Sequence, residues 1–320
     1  MEVINTELKN IPIGQIGEYT SVKLKLCGNH AEILYSQHQN QFCAIEKIDS
    51  QFYMNLITGE ISEYKKSDNK SQNLRSVARS LSLGRDLINT NVTDVKNCRW
   101  LTLTYAENMT DTTQLLQDFR HFNERLRAKY GRYEYITAVE PQGRGAWHMH
   151  VILIFPSIAP FIPNSDVANA WKRGFVKINA LDNVDNVGAY LTAYLGDMEL
   201  STSIPVQELE QIDRINVIKD VELTDENGIK QNKRFIKGAR LALYPSGMHI
   251  FRHSKNIKQP IIERLLYYQA KEKIGADTPI FSKAIQITAD EYVNILQYEY
   301  YNCNTDLRKN QEFDEKNNIT

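Results

Sequence analysis

The sequence predicts an α/β (α+β) fold in which helices flank a central, mostly antiparallel sheet. Three observations predict it. Short strand-like runs occur from residue 99 onward, an amphipathic helical pattern separates the first two, and a connection rich in Gly and Pro joins the next two. The chain has 320 residues, of which 42% are hydrophobic and 24% charged, so we expect one large or two modest globular domains.

The central elements follow one another closely. The run "RWLTLTYA" (99–106) predicts a strand, and the next segment predicts a helix that ends at Gly131. Its apolar face is formed by Leu115, Phe119, Phe122 and Leu126. "YEYITAVE" and "HMHVILIF" predict two further strands, and the connection "PQGRGAW" indicates an antiparallel hairpin between them. A short helix capped by Ser165, the strand "FVKIN" and a helix from Asn183 to Gly196 complete this region.

The flanking segments have a different character and predict a division into regions. Residues 1–72 contain short strand-like runs and predict a β-rich accessory region. Residues 73–260 would form the main domain, with a first helix over 74–81, a polar insertion at about 200–236 with a turn at "DENGIKQN", and a hairpin over 239–254. Residues 261–303 predict helices at "PIIERLLYYQAKEK" and "DEYVNILQYEYYN", and the polar tail 304–320 predicts disorder.

Composition narrows the functional classes. No apolar run approaches the roughly 18 residues of a membrane span, and the N-terminal residues do not resemble a signal peptide, so we expect a cytoplasmic protein. The four cysteines are scattered without a CxxC pair, which indicates neither a zinc knuckle nor a disulfide framework. The net charge of −1 provides no global argument for nucleic acid, and no GxxxxGK[ST] motor motif is present.

Two histidines stand one residue apart at the start of the third strand. Residues i and i+2 of a strand point to the same face, so His148 and His150 project together. Glu140 ends the preceding strand, and the short turn brings its carboxylate towards the imidazoles. Two imidazoles and one carboxylate suit a divalent cation such as Mn²⁺ or Mg²⁺ with open positions for substrate oxygens. An HxH pair alone is equally compatible with a structural role.

Two tyrosines lie one turn apart on the helix that follows. Tyr190 and Tyr194 are separated by four positions and therefore share one helix face. A phenol with a pKa of about 10 needs assistance to act as a nucleophile, and a nearby metal assists by polarising the group under attack. In a chain with 17 tyrosines, packing alone also produces such pairs.

Together these motifs resemble a known family. "WLTLTY", then "HMHVILIF" preceded by Glu140, then "YLTAY" look like motifs I, II and III of the HUH rolling-circle replication initiators. The paired tyrosines resemble the two-tyrosine branch found in single-stranded DNA phages and in plasmids, and the similarity extends over roughly residues 75–260. The resemblance implies an HUH endonuclease domain with a ferredoxin-like or RNA-recognition-motif-like sheet.

The resemblance also implies roles for individual residues. Glu140, His148 and His150 would hold the divalent metal, Mn²⁺ or Mg²⁺, that polarises the scissile phosphodiester. Tyr190 would attack it, leaving a 5′-phosphotyrosine and a 3′-OH that primes DNA synthesis. Tyr194 would serve the second transfer, which closes the displaced strand.

The remaining DNA contacts are assigned more loosely. Thr102 and Thr104 would support the site and the DNA, and Arg144 and Trp147, beside the hairpin, would grip a phosphate and stack a base. One departure from the family concerns Ala193, which stands where members often carry lysine; Asp197 likewise replaces a usual basic residue. The candidates for the missing cation are Lys172, Arg173, Lys177 and Arg144.

Three functions remain open at this stage. The first is a metal-dependent nickase and ligase that initiates rolling-circle replication on single-stranded or hairpin origin DNA. Because the chain has no motor motif, a host helicase would unwind the DNA and a host polymerase would extend it. The second is a relaxase or transposase of the same superfamily, although tyrosines that follow the histidines favour the initiator order. The third is a DNA-binding regulator without catalysis, which the intact set of motifs argues against.

Overall fold

The structure is a computed structural model that describes residues 6–39, 44–64, 68–142, 145–181, 198–199, 218–224, 230–236, 239–275, 278–289 and 292–303. The chain forms two compact units. The terminal unit comprises Met1–Lys66, Asn89–Thr93 and Lys258–Thr320, and the central unit comprises Ser67–Ile88 and Asp94–Ile257. The predicted α+β fold with antiparallel sheets is confirmed. No helix in the described part is long and apolar enough to cross a membrane.

The terminal unit is built on a six-stranded antiparallel sheet. Strands and helices are numbered β1–β17 and α1–α4 in chain order. The sheet has the order β1 (Thr6–Ile11), β16 (Phe281–Ala289), β17 (Tyr292–Asn302), β3 (His30–Ser36), β2 (Ser21–Cys27) and β15 (Ile261–Leu266). A small sheet contains β4 (Ile45–Lys47), β5 (Phe52–Asn55) and β6 (Ile61–Glu63), and α4 spans Tyr267–Ile274. The predicted N-terminal strands are therefore confirmed.

The second predicted C-terminal helix is wrong, because residues 292–302 form β17. The first is present only in part, since β15 precedes α4. Three of the buried positions of β17 are polar: Asn294, Gln297 and Glu299. The Gln297 side chain exchanges two hydrogen bonds with the Gly14 backbone, at 3.1 and 3.0 Å. Sequence periodicity scored these positions as exposed, whereas hydrogen bonding satisfies them in the interior.

The central unit contains the elements that resemble the family motifs. Its five-stranded antiparallel sheet has the order β10 (Val176–Ala180), β7 (Cys98–Thr104), β9 (Trp147–Ile154), β8 (Glu134–Pro141) and β14 (Phe251–His253). The helices are α1 (Leu74–Asn91), of which residues 74–88 belong to this unit, α2 (Thr112–Tyr130) and α3 (Asn164–Trp171). A second sheet contains β11 (Met198–Glu199), β13 (Lys230–Ile236) and β12 (Ile218–Thr224).

One face of the five-stranded sheet packs against helices. The predicted apolar face of α2 is confirmed, since Leu115, Phe119, Phe122 and Leu126 are all buried in the main core. The same core contains Leu101 and Leu103 of β7 and Met149 and Val151 of β9. Because side chains alternate along a strand, the residues between these point to the opposite face of the sheet. That opposite face carries the candidate site.

Two local predictions in this unit are wrong. Ser165 is not the cap of α3: the helix begins at Asn164, and Pro163 occupies the N-cap position without a side-chain cap. Residues 239–254 do not form a hairpin, because Ala239–Leu243 is a 3₁₀ turn and β14 pairs with β8 instead. Leu241 and Tyr244 are buried, which fixes this segment against the sheet. The predicted helix 183–196, the centre of the "DENGIKQN" turn and the tail 304–320 lie outside the described residues.

Candidate metal centre

The hairpin of β8 and β9 brings the three predicted ligands together. Glu140 lies directly opposite His148 in the antiparallel register, and His150 lies two residues further along β9 on the same face. Directly opposed residues and alternate residues share a face, so all three side chains leave the sheet in one direction. The predicted hairpin and the predicted convergence are both present.

The ligand atoms face one another at short range. Nε2 of His148 and Nε2 of His150 are 2.9 Å apart, and they lie 3.5 and 3.4 Å from Oε2 of Glu140. Glu140 is 6% exposed, whereas the histidine side chains are 18% and 21% exposed. The carboxylate therefore forms the floor of the cluster and the two imidazoles form its rim.

Residues of β7 hold His150 from the other side. Thr102 lies opposite His150, and its Oγ1 is 3.4 Å from Nδ1 of the imidazole. When Nδ1 carries the proton and donates to this hydroxyl, Nε2 keeps a lone pair directed at the cluster. The Trp100 ring stacks on the His150 ring with centroids 5.0 Å apart and an interplanar angle of 15°. The predicted supporting position of Thr102 agrees with these contacts.

A residue that the sequence did not predict completes the cluster. Nη1 of Arg240 donates to Oε1 of Glu140, the oxygen that does not face the histidines. Arg240 stands in the 3₁₀ turn Ala239–Leu243, 100 residues after Glu140, and no spacing rule connects the two positions. Tyr244 ties this turn to the sheet, because its hydroxyl donates to the Val139 carbonyl at 2.9 Å. The guanidinium leaves only one carboxylate oxygen available to a cation.

The electrostatics keep the three ligands in the protonation states that a metal requires. Burial alone would raise the pKa of Glu140, but hydrogen bonds from His148 and His150 and the Arg240 charge outweigh it, and the pKa falls to about 2. Burial also lowers the pKa of His150, which favours the neutral imidazole at neutral pH. The cluster is therefore an ionised carboxylate beside imidazole nitrogen.

The donor set fits a divalent ion. The ligand atoms lie within 4.8 Å of one another, and separations of 2.9–3.5 Å match atoms that share one ion at about 2.1 Å each. Nδ1 of His148 is buried and has no hydrogen-bond partner among the described residues. Two nitrogens and one oxygen leave coordination positions for other ligands. Glu140, His148 and His150 thus form a candidate metal site.

The other predicted site residues have diverse placements. Tyr190, Tyr194 and Arg144 lie outside the described residues. Trp147 is 2% exposed, and its Nε1 donates to the Thr110 carbonyl at 2.8 Å. The base-stacking role predicted for Trp147 is therefore wrong, because both faces of a buried ring are occupied by the core.

Thr104 and the two basic residues before β10 lie at one end of β7. Thr104 is directly opposite His148, and its carbonyl accepts a hydrogen bond from Nε1 of Trp171 at 3.0 Å. Nη2 of Arg173 pairs with Oδ1 of the buried Asp118 at 2.8 Å, and Lys172 is exposed. Thr104 is thus placed beside the cluster, and Arg173 is already engaged within the protein.

Comparison with known families agrees with the region of the site. A family model described as replication-associated protein ORF2 matches residues 98–199, about a third of the chain. The matched segment begins at the first residue of β7 and includes Glu140, His148 and His150, as well as the two tyrosines. No curated protein and no solved structure matches the chain significantly. The match supports a replication-initiator family and suggests a replication-associated, DNA-binding protein.

Proposed function

We propose that this protein is a metal-dependent DNA nickase and strand transferase of the HUH two-tyrosine type that initiates rolling-circle replication. The observation that carries the proposal is the convergence of Glu140, His148 and His150 on one face of the sheet, with the ligand atoms 2.9–3.5 Å apart. The family match over residues 98–199 supports the replication role. The tyrosine chemistry rests on the resemblance of the sequence motifs.

In this proposal each residue has a defined task. A divalent ion, Mn²⁺ or Mg²⁺, held by the three ligands would polarise the scissile phosphodiester and stabilise the charge that develops on it. The Tyr190 hydroxyl loses its proton and its oxygen forms a bond to phosphorus. The bond from phosphorus to the 3′ oxygen breaks, and that oxygen takes up a proton to become the 3′-OH primer. Tyr194 accepts the strand in the second transfer, which rejoins the displaced DNA.

The protein environment favours this chemistry in two ways. Arg240 offsets the charge of Glu140, so a bound divalent ion keeps most of its positive charge for the phosphate. The histidines at the rim are partly exposed, which gives a substrate access to the open positions. Arg240 lies outside the segment that matches the family.

The test uses single-stranded oligonucleotides that tile the replicon encoding the protein, in Mn²⁺ or Mg²⁺. A 3′-labelled strand should shift to a covalent adduct that survives denaturation. The same strand labelled at its 5′ end should yield a shorter product that a polymerase extends. Phe at position 190, at 194 and at both identifies the attacking hydroxyl, and Tyr19→Phe serves as the matched control because Tyr19 is 78% exposed in the terminal unit.

The outcomes separate the alternatives. An adduct that persists in the double Phe variant refutes the tyrosine assignment, and cleavage that persists in chelator refutes the metal site. Binding without cleavage under all conditions identifies a regulator that lacks catalysis. Extension of the nicked strand by purified polymerase, with and without a helicase, tests the proposed dependence on host factors.

A further inference from the structure

The turn between α3 and β10, residues Lys172–Phe175, concentrates binding chemistry in four residues. It contains two cations, a glycine and an aromatic ring that is 67% exposed. Lys172 ends α3 in the left-handed conformation, with φ of 59°, and is the only non-glycine residue with positive φ among the described residues. Such backbone strain in a non-glycine residue persists only where the surroundings hold it.

The surroundings do hold this turn. The Thr104 amide donates to the Phe175 carbonyl at 2.9 Å, and the Ala106 amide donates to the Arg173 carbonyl at 2.9 Å. Gly174 lies so close to β7 that a Cβ there would be 2.6 Å from the Thr104 carbonyl oxygen. The ion pair between Arg173 and Asp118 adds a third attachment. Arg173 therefore fixes the turn, and Lys172 remains as its exposed cation.

The register places the Phe175 ring on the same face as the candidate metal centre. Val176 is buried opposite Leu103 on the core face, so Phe175 points to the other face. Phe175 is bonded to Thr104, which is opposite His148. Two interstrand spacings, about 10 Å, therefore separate the Phe175 backbone from that of His148. DNA whose scissile phosphate lies at the cluster carries its neighbouring nucleotides past this ring.

We propose that the Lys172–Phe175 turn binds an unpaired nucleotide that flanks the scissile phosphate: Phe175 stacks on the base and the Lys172 ammonium contacts a backbone phosphate. Unpaired strands are recognised by this combination of an exposed aromatic ring and a cation. The exposed ring has no packing role to explain it, whereas the rigid attachments of the turn suit a preorganised contact. The inference rests on the proposed function for its ligand, single-stranded DNA.

The experiment measures binding of fluorescein-labelled dT20 to the full chain by anisotropy, in EDTA so that no cleavage occurs. Phe175→Ala should weaken binding by about fivefold or more, because stacking on one base contributes that much. Phe175→Trp should restore it. Phe161→Ala is the matched control: Phe161 is 84% exposed, and Arg99 holds the neighbouring Ala159 and Pro160 carbonyls at the opposite end of β7.

Two further measurements define the contact. An oligomer of the same length without bases should bind wild type and Phe175→Ala equally, since it has nothing to stack. Lys172→Gly preserves the left-handed backbone while removing the charge, and should reduce the slope of log K against log salt by about 0.7. Thermal unfolding of each variant followed by circular dichroism should match wild type, because both side chains are exposed.

The inference is overturned if wild type does not bind dT20 at low salt, if Phe175→Ala binds dT20 as wild type does, or if it weakens binding to the baseless oligomer equally. The adduct assay is scored separately. An adduct without any dependence of binding on Phe175 refutes the turn alone. A dependence of binding on Phe175 without any adduct from wild type refutes nicking alone.

Discussion

The charge of the buried Glu140 makes the stability of the metal-free central unit depend on pH. Its pKa is lowered from an ordinary value of 4.5 to about 2, because the hydrogen bonds from the histidines and the Arg240 charge outweigh the effect of burial. A carboxyl with a lowered folded pKa contributes stability that is fully present above pH 4.5 and is lost as the pH falls towards 2. Glu140→Gln removes this dependence while keeping the shape of the side chain.

The magnitude follows from the two pKa values. The interval between 4.5 and about 2 corresponds to about 3 kcal/mol, at about 1.4 kcal/mol for each pH unit. About 1 kcal/mol of this is lost between pH 5.5 and pH 3.5, a range in which the difference can be measured before the whole chain unfolds. The effect is not discounted for solvent screening, since Glu140 is 6% exposed.

Tryptophan fluorescence is a suitable assay. The protein has three tryptophans, Trp100, Trp147 and Trp171, and all lie in the central unit, so urea titrations followed at this signal report its unfolding. The difference in unfolding free energy between wild type and Glu140→Gln, in EDTA, should shrink by about 1 kcal/mol from pH 5.5 to pH 3.5. A difference that stays constant over this range would show that Glu140 is not held as a carboxylate by its neighbours.

Three further predictions concern the same unit. Mn²⁺ should quench Trp100 fluorescence saturably, because the ring stacks on a candidate ligand, and His148→Ala should leave only the unsaturable quenching of free Mn²⁺. Arg240→Met should tighten Mn²⁺ binding by about tenfold in calorimetry, since a nearby unit charge repels a dication by a few kcal/mol at an effective dielectric of about 20; an unchanged Kd contradicts this. Gly84→Ala should lower the urea midpoint despite its better helix propensity, because a Cβ would lie 2.4 Å from the Phe251 ring; the loss should largely disappear in the Phe251→Ala background, and strict additivity contradicts the clash.

Local sequence patterns predicted the site strands well. The alternation of "HMHVILIF" placed Met149 and Val151 in the core and the two histidines on the other face, and the Gly- and Pro-containing connection predicted the hairpin that brings Glu140 opposite His148. Both features arise from backbone geometry over a few residues, which a sequence encodes directly. The helical periodicity of α2 was predicted for the same reason.

Other predictions failed where the decisive contacts were non-local. Trp147 appeared exposed beside a polar turn, but the 105–111 segment covers it and provides the carbonyl of Thr110 as a partner for its indole. The helix predicted at 290–302 is β17, because the binding partners of Asn294 and Gln297 lie 256 and 283 residues earlier in the chain. No periodicity indicates that a polar residue is satisfied by a segment so distant in sequence.

The sequence by itself thus determined the antiparallel α+β character, the orientation of His148 and His150, and their meeting with Glu140. Only the tertiary structure decided that Arg240 occupies the second carboxylate oxygen and that the Lys172–Phe175 turn presents its ring on the same face as the candidate metal centre. The physical reason is the range of the interactions involved. Alternation and turn chemistry act within a strand or a hairpin, whereas the pairing of charges and the exposure of a ring depend on segments that meet only when the chain folds.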